Sequence, residues 1–266
     1  MTSQTFQTIT LEQDARGVAR LTLNRPDKHN ALNGQLIEEL KQAADLLAAD
    51  SGVRVVVLSG EGKSFCAGGD FNWFKENAEA DRATRIRESS KLAHMLNALN
   101  GLPKPLIGRI QGPAYGGGVG MISVCDIAVG VDTARFGLTE VRLGLIPANI
   151  SPHVVARIGA ANARATMLSG ALFSAAKAEK IGLLNETASP DDLDARIDAI
   201  IADHLEAALG AVGETKRLIT YVAGHGIDDN MIYTADRLAD AWETDEGATG
   251  INSFLGKKLP PWRTGK

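Results

Sequence analysis

The chain has 266 residues, with 28 Lys and Arg against 32 Asp and Glu, and a formal net charge of −4. That balance leaves no basic footprint for nucleic acid or an anionic membrane surface, though a few local cations can still hold an anionic ligand. Cys66 and Cys125 are too few for a disulfide framework and wrongly spaced for zinc, no run approaches the ~20 apolar residues of a membrane span, and MTSQTFQTITLEQ lacks the marks of a secretion signal, so a cytoplasmic protein is expected.

Residues 6–12 and 18–23 alternate apolar and polar around Arg16-Gly17, which predicts a two-stranded hairpin. Asn24-Arg25-Pro26-Asp27 ends the second strand. Asn33 is placed to cap a helix whose Leu36, Ile37, Leu40, Ala43, Ala44 and Leu47 share one face, and Ser51-Gly52 stops it. The β-branched run 53–58 does not alternate, which suits a strand buried on both faces. The loop 59–70 leaves that strand and contains Phe65-Cys66-Ala67-Gly68-Gly69-Asp70. A helix is expected over 81–99, charged at its start and apolar at Leu92, Met95, Leu96 and Leu99. Leu102-Pro103-Lys104-Pro105 breaks it.

The order then repeats: a strand at 105–110, the glycines Gly116 to Gly118, a small-residue helix at 119–125, a short apolar run, and Glu140. Beyond Glu140 come Ala-rich helical patterns at 149–158, 160–168, 175–181 and 191–209, continuing at 213–223, 228–242 and 245–255. Residues 1–200 read as an α/β core with the active site, and 201–266 as a helical region. The basic tail 256–262 is expected to be extended.

The triple glycine invites two readings, a site where a ligand approaches free backbone N–H groups and tight helix–strand packing. It is not a dinucleotide fingerprint, because Met121 stands where the next glycine is required. No G-x-x-x-x-G-K-[ST] and no G-x-S-x-G occurs. Cys66 has no paired histidine in its motif and reads as a small core residue rather than a nucleophile. His29, His94, His153, His204 and His225 show no metal-ligand spacing, so no metal is expected. Glu140 is a lone acid in a charge-poor segment. An oxyanion site opposite one carboxylate is the chemistry this pattern suggests.

Asn24-Arg25-Pro26 with Asn30-Ala31-Leu32, the Phe65 to Asp70 loop, and Gly112-Pro113-Ala114-Tyr115-Gly116-Gly117-Gly118 occur in a recognisable order. They continue through Cys125-Asp126-Ile127-Ala128, Phe136-Gly137 to Glu140, and Leu143-Gly144-Leu145-Ile146-Pro147. Over nearly its whole length the chain resembles the crotonase superfamily, the enoyl-CoA hydratase/isomerase family. The resemblance implies a crotonase-like superhelix of stacked ββα turns and a C-terminal helical trimerisation region. It also implies homotrimers, often paired into hexamers. The substrate is expected to be an acyl-CoA thioester, with coenzyme A entering as part of it and no separate cofactor.

Matched residue by residue, the resemblance puts the oxyanion hole at the N–H groups of Gly69 and Gly117 and the acid/base at Glu140. Lys28 to Ala31 and Ala67 to Phe71, with Asp70 among them, match the surface for the adenine end of CoA. Lys257 or Lys258 matches a tail position that reaches a CoA phosphate from a neighbouring subunit. Tyr115, Gly120, Asn149 and Ser151 are expected at the acyl pocket, with His153 beside them. Many hydratases of the family carry two glutamates that share a water. Here Gly120 stands at the first position and only Glu140 is kept, which leaves both hydration and double-bond isomerisation open. Asp70-Phe71-Asn72-Trp73, Gly118-Val119-Gly120 and Ser151-Pro152 resemble bacterial methylglutaconyl-CoA hydratases of leucine breakdown, which favours a short or branched 2-enoyl-CoA. A 3,2-enoyl-CoA isomerase and a non-catalytic acyl-CoA-binding protein are the alternatives.

Overall fold

A computed structural model describes residues 5–263. Strands β1 (Ile9–Gln13) and β2 (Val18–Leu23) form the expected antiparallel hairpin, with Ile9 opposite Leu23. Helix α1 (Gly34–Ala49) starts at Asn33, whose side chain accepts from the Leu36 N–H at 2.9 Å and satisfies one orphan donor of the first turn. Strand β3 (Val55–Gly60) runs parallel to β2. Helices α2 (Phe71–Glu79) and α3 (Arg82–Asn100) lead to β4 (Leu106–Ile110), which is parallel to β3. Next come β5 (Ala114–Tyr115), α4 (Gly117–Ser123), β6 (Ile127–Val131) and β7 (Arg135–Gly137). A 3-10 turn, Glu140–Leu143, leads to α5 (Ser151–Met167). Then follow β8 (Phe173–Ser174), α6 (Ala175–Lys180), β9 (Glu186–Ala188) and α7 (Leu193–Leu205). The last three helices are α8 (Leu209–Gly224), α9 (Ile227–Glu243) and α10 (Asp245–Leu255).

The main sheet has the order β1-β2-β3-β4-β6-β9 and is parallel except for its first pair. Val55 to Leu58 and Leu106 to Gly108 are fully buried, as a parallel sheet covered on both faces requires. The α1 face named above packs against α3, whose Met95, Leu96 and Leu99 are fully buried. Two polar anchors brace this layer. Glu39 accepts the Thr8 N–H at 2.8 Å, and the Lys104 ammonium caps the end of α1 by donating to the Asp50 carbonyl at 2.7 Å.

A second, smaller sheet has the order β5-β7-β8. The two glycine-rich loops join its edge. Tyr115 N–H donates to the Cys66 carbonyl at 2.9 Å, and Leu32 N–H donates to the Gly68 carbonyl at 2.7 Å. Segments 29–32, 65–70 and 113–116 therefore lie side by side although they are far apart in sequence. This is what a stack of strand–loop–helix turns does: it collects the loops of successive turns along one line.

The structure adds elements that periodicity did not suggest. Helix α2 fills the gap between the loop and α3, and β8 and β9 are strands of two and three residues. The patterns 149–158 and 160–168 form α5, broken by non-helical Gly159 with φ 74°. Residue 200 lies within α7, whose Leu193, Ile197, Ile201 and Leu205 are buried against the core. The tail is not extended throughout. It folds back so that Arg263 meets Glu206 at 2.8 Å. Of the N-terminal stretch considered above, residues 1–4 lie outside the described residues, as do 264–266. Among the described residues no helix is long and apolar enough to cross a membrane.

Candidate active site

A cleft of about 710 Å³ opens where the two glycine-rich loops meet. Gly68 and Gly69 form one wall of it, and Gly116 and Gly117 another. The first loop is fixed on both sides of Gly69. Leu32 N–H donates to the Gly68 carbonyl, and the Asp70 N–H donates to the Leu32 carbonyl at 2.8 Å. The Gly69 amide between them has no acceptor among the described residues, and neither has the Gly117 amide at the first position of α4. Gly116 precedes it with φ 51° and ψ −115°, a conformation only glycine adopts without strain.

Glu140 lies against this second turn. A Cβ built on Gly116 would stand 3.0 Å from Glu140 Oε1, so the carboxyl group rests against the backbone that leads to the Gly117 amide. Glu140 Oε2 is buried and has no hydrogen-bond partner among the described residues. Burial pushes its carboxyl pKa above the ordinary glutamate range, because the charged form is the one that loses most on leaving water. Two unpaired N–H groups and one unpaired carboxyl oxygen thus border a single cavity. Such a set can hold a carbonyl oxygen as it gains charge while moving a proton nearby.

A second cavity, also about 710 Å³, adjoins the first loop from the other side. Lys28, Ala31, Asp70 and Phe71 line it together with Arg25 and His29. Trp73 lines both cavities, and its indole N–H is buried without an acceptor among the described residues. Arg25 joins the first loop to the segment beside it: its guanidinium meets Asp70 Oδ2 at 2.9 Å and also donates to the Ala31 carbonyl. Burial works against the Asp70 charge. The Arg25 guanidinium and the Asn72 N–H outweigh it and hold the carboxyl below the usual aspartate range.

The remaining candidate positions fall in different places. Tyr115, Ala67 and Asn149 line the first cleft. Gly120 lies under Ile150: a Cβ there would meet Ile150 Cγ2 at 2.6 Å and Leu96 Cδ1 at 3.6 Å. Ile150 itself walls the cleft. The Ser151 hydroxyl donates to the Ala148 carbonyl at 2.8 Å, and His153 sits further along α5, half-buried. Lys257 and Lys258 stand at the end of α10 and border neither cavity. Cys66 and Cys125 are buried, and burial pushes each thiol up to about 12, as expected of inert core residues. No cluster of three or more potential metal ligands occurs among the described residues.

Residues 13–265 match the enoyl-CoA hydratase/isomerase family. The chain belongs to that family. Its members are acyl-CoA enzymes, and the fold just described is the crotonase fold. The superposition with an enoyl-CoA hydratase from Shewanella pealeana has a TM-score of 0.93 at 33% identity, covering 97% of this chain and 96% of the other. Pseudomonas aeruginosa AtuE superposes with a TM-score of 0.91 at 32% identity, covering 96% of this chain and 99% of the other. The 2,3-dehydroadipyl-CoA hydratase of Escherichia coli is 33% identical over 92% of this chain and 95% of its own length. Among the cleft-lining residues, Arg85 and Ile150 had no place in the reading of the sequence, and Trp73 entered it only through the Asp70 to Trp73 motif. Arg85 could have been found as one of three residues, with Ser89 and Leu92, that share a helix face.

Proposed function

We propose that this enzyme adds water across the double bond of a short or branched 2-enoyl-CoA. The observation that carries the reading is the cleft shared by the unpaired Gly69 and Gly117 amides and the unpaired Glu140 carboxyl. The thioester oxygen accepts from the two amides and draws electron density from the double bond. Ionised Glu140 takes a proton from water as its oxygen bonds to C3, and the thioester becomes an enolate held by the amides. Glu140 then gives the proton to C2, and the 3-hydroxyacyl-CoA leaves with the carboxylate restored. No redox change is involved. The CoA moiety is assigned to the second cavity, where Lys28 supplies positive charge for its phosphates, Arg25 being paired with Asp70. Among branched substrates, 3-methylglutaconyl-CoA is the first to test, on the motif similarity noted above.

One observation favours a second reading. Ile150 fills the space that a side chain at position 120 would need, so a second carboxylate cannot join Glu140 there without displacing it. A lone carboxyl also suffices to move a proton between carbons, which is isomerase chemistry. Product analysis separates the two. Crotonyl-, 3-methylcrotonyl- and 3-methylglutaconyl-CoA should yield 3-hydroxyacyl products. Conversion of 3-enoyl-CoA to 2-enoyl-CoA with no hydroxy product would select the isomerase.

We also propose that the enzyme assembles as a homotrimer or hexamer through its C-terminal helices. Ile227, Ile232, Trp242 and Phe254 are exposed apolar side chains on α9 and α10, more than a solvated helical face needs. The solution mass from light scattering tests this; a monomer at working concentration would rule it out. Two free, buried cysteines suit the reducing cytoplasm we assign it to.

A further inference from the structure

We propose that the acyl cleft takes a chain whose far end carries a carboxylate, and that Arg85 recognises that carboxylate. The proposal rests on the hydration reading above and adds the substrate class. Arg85, Ser89 and Leu92 recur at i, i+4 and i+7 on α3, so they share one helix face, and all three wall the cleft. Exposure rises along that face, from buried Leu92 through half-buried Ser89 to exposed Arg85. Leu92 marks the deep end, because Leu96, one turn further on, reaches the space above Gly120. Arg85 stands seven residues before Leu92, which is ~10 Å along the helix axis.

The guanidinium is held in place. Its Nε donates to the Asn77 carbonyl at 2.7 Å and its Nη2 to the Ala78 carbonyl at 2.7 Å, which tethers it to the end of α2. Its Nη1 has no partner among the described residues, and it forms no ion pair there. Asp81 lies close enough to feel the charge of Arg87 and Arg85, but it makes no ion pair with either among the described residues, and its Oδ1 accepts the Thr84 N–H at 2.8 Å. Of the residues lining the cleft, only Arg85 and Glu140 bring a guanidinium, ammonium, imidazole or carboxyl group, and Leu143, Leu145 and Ile146 make part of the wall apolar. A chain leaving the Gly69 and Gly117 amides therefore runs along an apolar wall toward one pre-oriented cation. An alkyl end would cover that cation without pairing it. A carboxylate end would accept a charge-assisted hydrogen bond from it.

The plainer role for Arg85 is to tie down the last carbonyls of α2, and the experiment has to separate the two. The probes are 2-hexenoyl-CoA and 2,3-dehydroadipyl-CoA, which share chain length and differ in the terminal carboxylate. The readout is the ratio of their kcat/KM values. We expect wild type to prefer the acid-ended substrate, Arg85→Met to lower the ratio by at least about tenfold, and Arg85→Lys to retain part of the preference. If Arg85 only supports α2, both substrates suffer alike and the ratio does not move, which overturns the proposal. If neither probe is hydrated, the hydration reading fails instead. The subsite is then decided by calorimetry with adipyl-CoA and hexanoyl-CoA. A salt-sensitive preference for adipyl-CoA that Arg85→Met abolishes supports it, and equal affinity overturns it.

Discussion

The turn at Gly68-Gly69 and the turn at Gly116-Gly117 each follow a core strand, and each leaves an amide on the cleft, yet different forces hold them. The first turn is clamped by charge. Arg25 and Asp70, only 16% and 11% exposed at their side chains, join the loop to the Ala31-Leu32 segment beside it. The second turn is held by shape. Gly116 takes a backbone conformation closed to other residues, and Gly118 leaves so little room that a Cβ would stand 2.7 Å from the Cys66 carbonyl oxygen. The difference shows how an oxyanion site can be rigid on one side without a charged clamp, through glycine packing and the Gly116 N–H donating to the Gly137 carbonyl at 2.9 Å. Its other side adds a charge that titrates to the two backbone hydrogen bonds with Leu32.

The acid belongs to the packed side, and removing it should have the largest effect. Glu140→Gln keeps the shape and removes the proton acceptor, so kcat should fall by about 10²–10⁴-fold. In wild type, kcat/KM should rise with pH through a pKa above the usual glutamate range, since ionised Glu140 is the form that accepts a proton from water. The variant's residual rate should lack that limb. Stability should move the other way. A raised folded-state pKa stabilises below the unfolded-state value and loses that contribution as pH climbs through the folded one. At neutral pH, Glu140→Gln should therefore melt higher than wild type. A lower Tm would show that the carboxylate has a partner that supports the fold.

Alanine substitutions in the two turns probe the asymmetry directly. Gly116→Ala forces a side chain into a glycine-only conformation, at about 1–3 kcal/mol, and aims its Cβ at Glu140 Oε1, 3.0 Å away. Activity and Tm should fall together, with kcat down at least about tenfold. Gly69→Ala meets the ring of Phe74 first, at 2.6 Å, and a side chain can rotate where a backbone cannot. It should cost less in both assays. Equal losses would mean that the two turns are held alike.

Much of this arrangement was legible in the sequence. The buried run Val55 to Leu58, the Asn33 cap and the glycine loops showed themselves because each depends on local chemistry, and the motif order carried the crotonase fold. Helix α2 did not. None of its residues is buried, and Phe71 is 81% exposed, so it has no core-facing stripe for periodicity to find; the only sign was Asp70 at its N-cap. The contact between Gly120 and Ile150 was equally hidden, because it joins α4 to the start of α5 across the fold. Sequence could show that an acid was missing at position 120, but not which side chain filled the space. Arg85 escaped for a related reason. Its place on the cleft depends on α2 ending beside it.

The charged side of the comparison gives the smallest and most conditional effect. Asp70→Asn leaves the N-cap acceptor for the Asn72 N–H, now at 2.9 Å from Oδ1, but removes the charge that Arg25 pairs with. Because Arg25 also borders the second cavity, water can reach it, and the loss should be about 1–3 kcal/mol rather than the full cost of a buried orphan charge. The pH dependence identifies the source. The Asp70 pKa is depressed in the folded state, so its contribution is fully present above the unfolded value and fades as pH falls through the folded one. Wild type should therefore lose stability on acidification more steeply than Asp70→Asn, and the two should converge at the acid end of a denaturant-midpoint series. Parallel curves would mean that hydrogen-bond shape, and not charge, holds the first turn, and the distinction between the two turns would collapse.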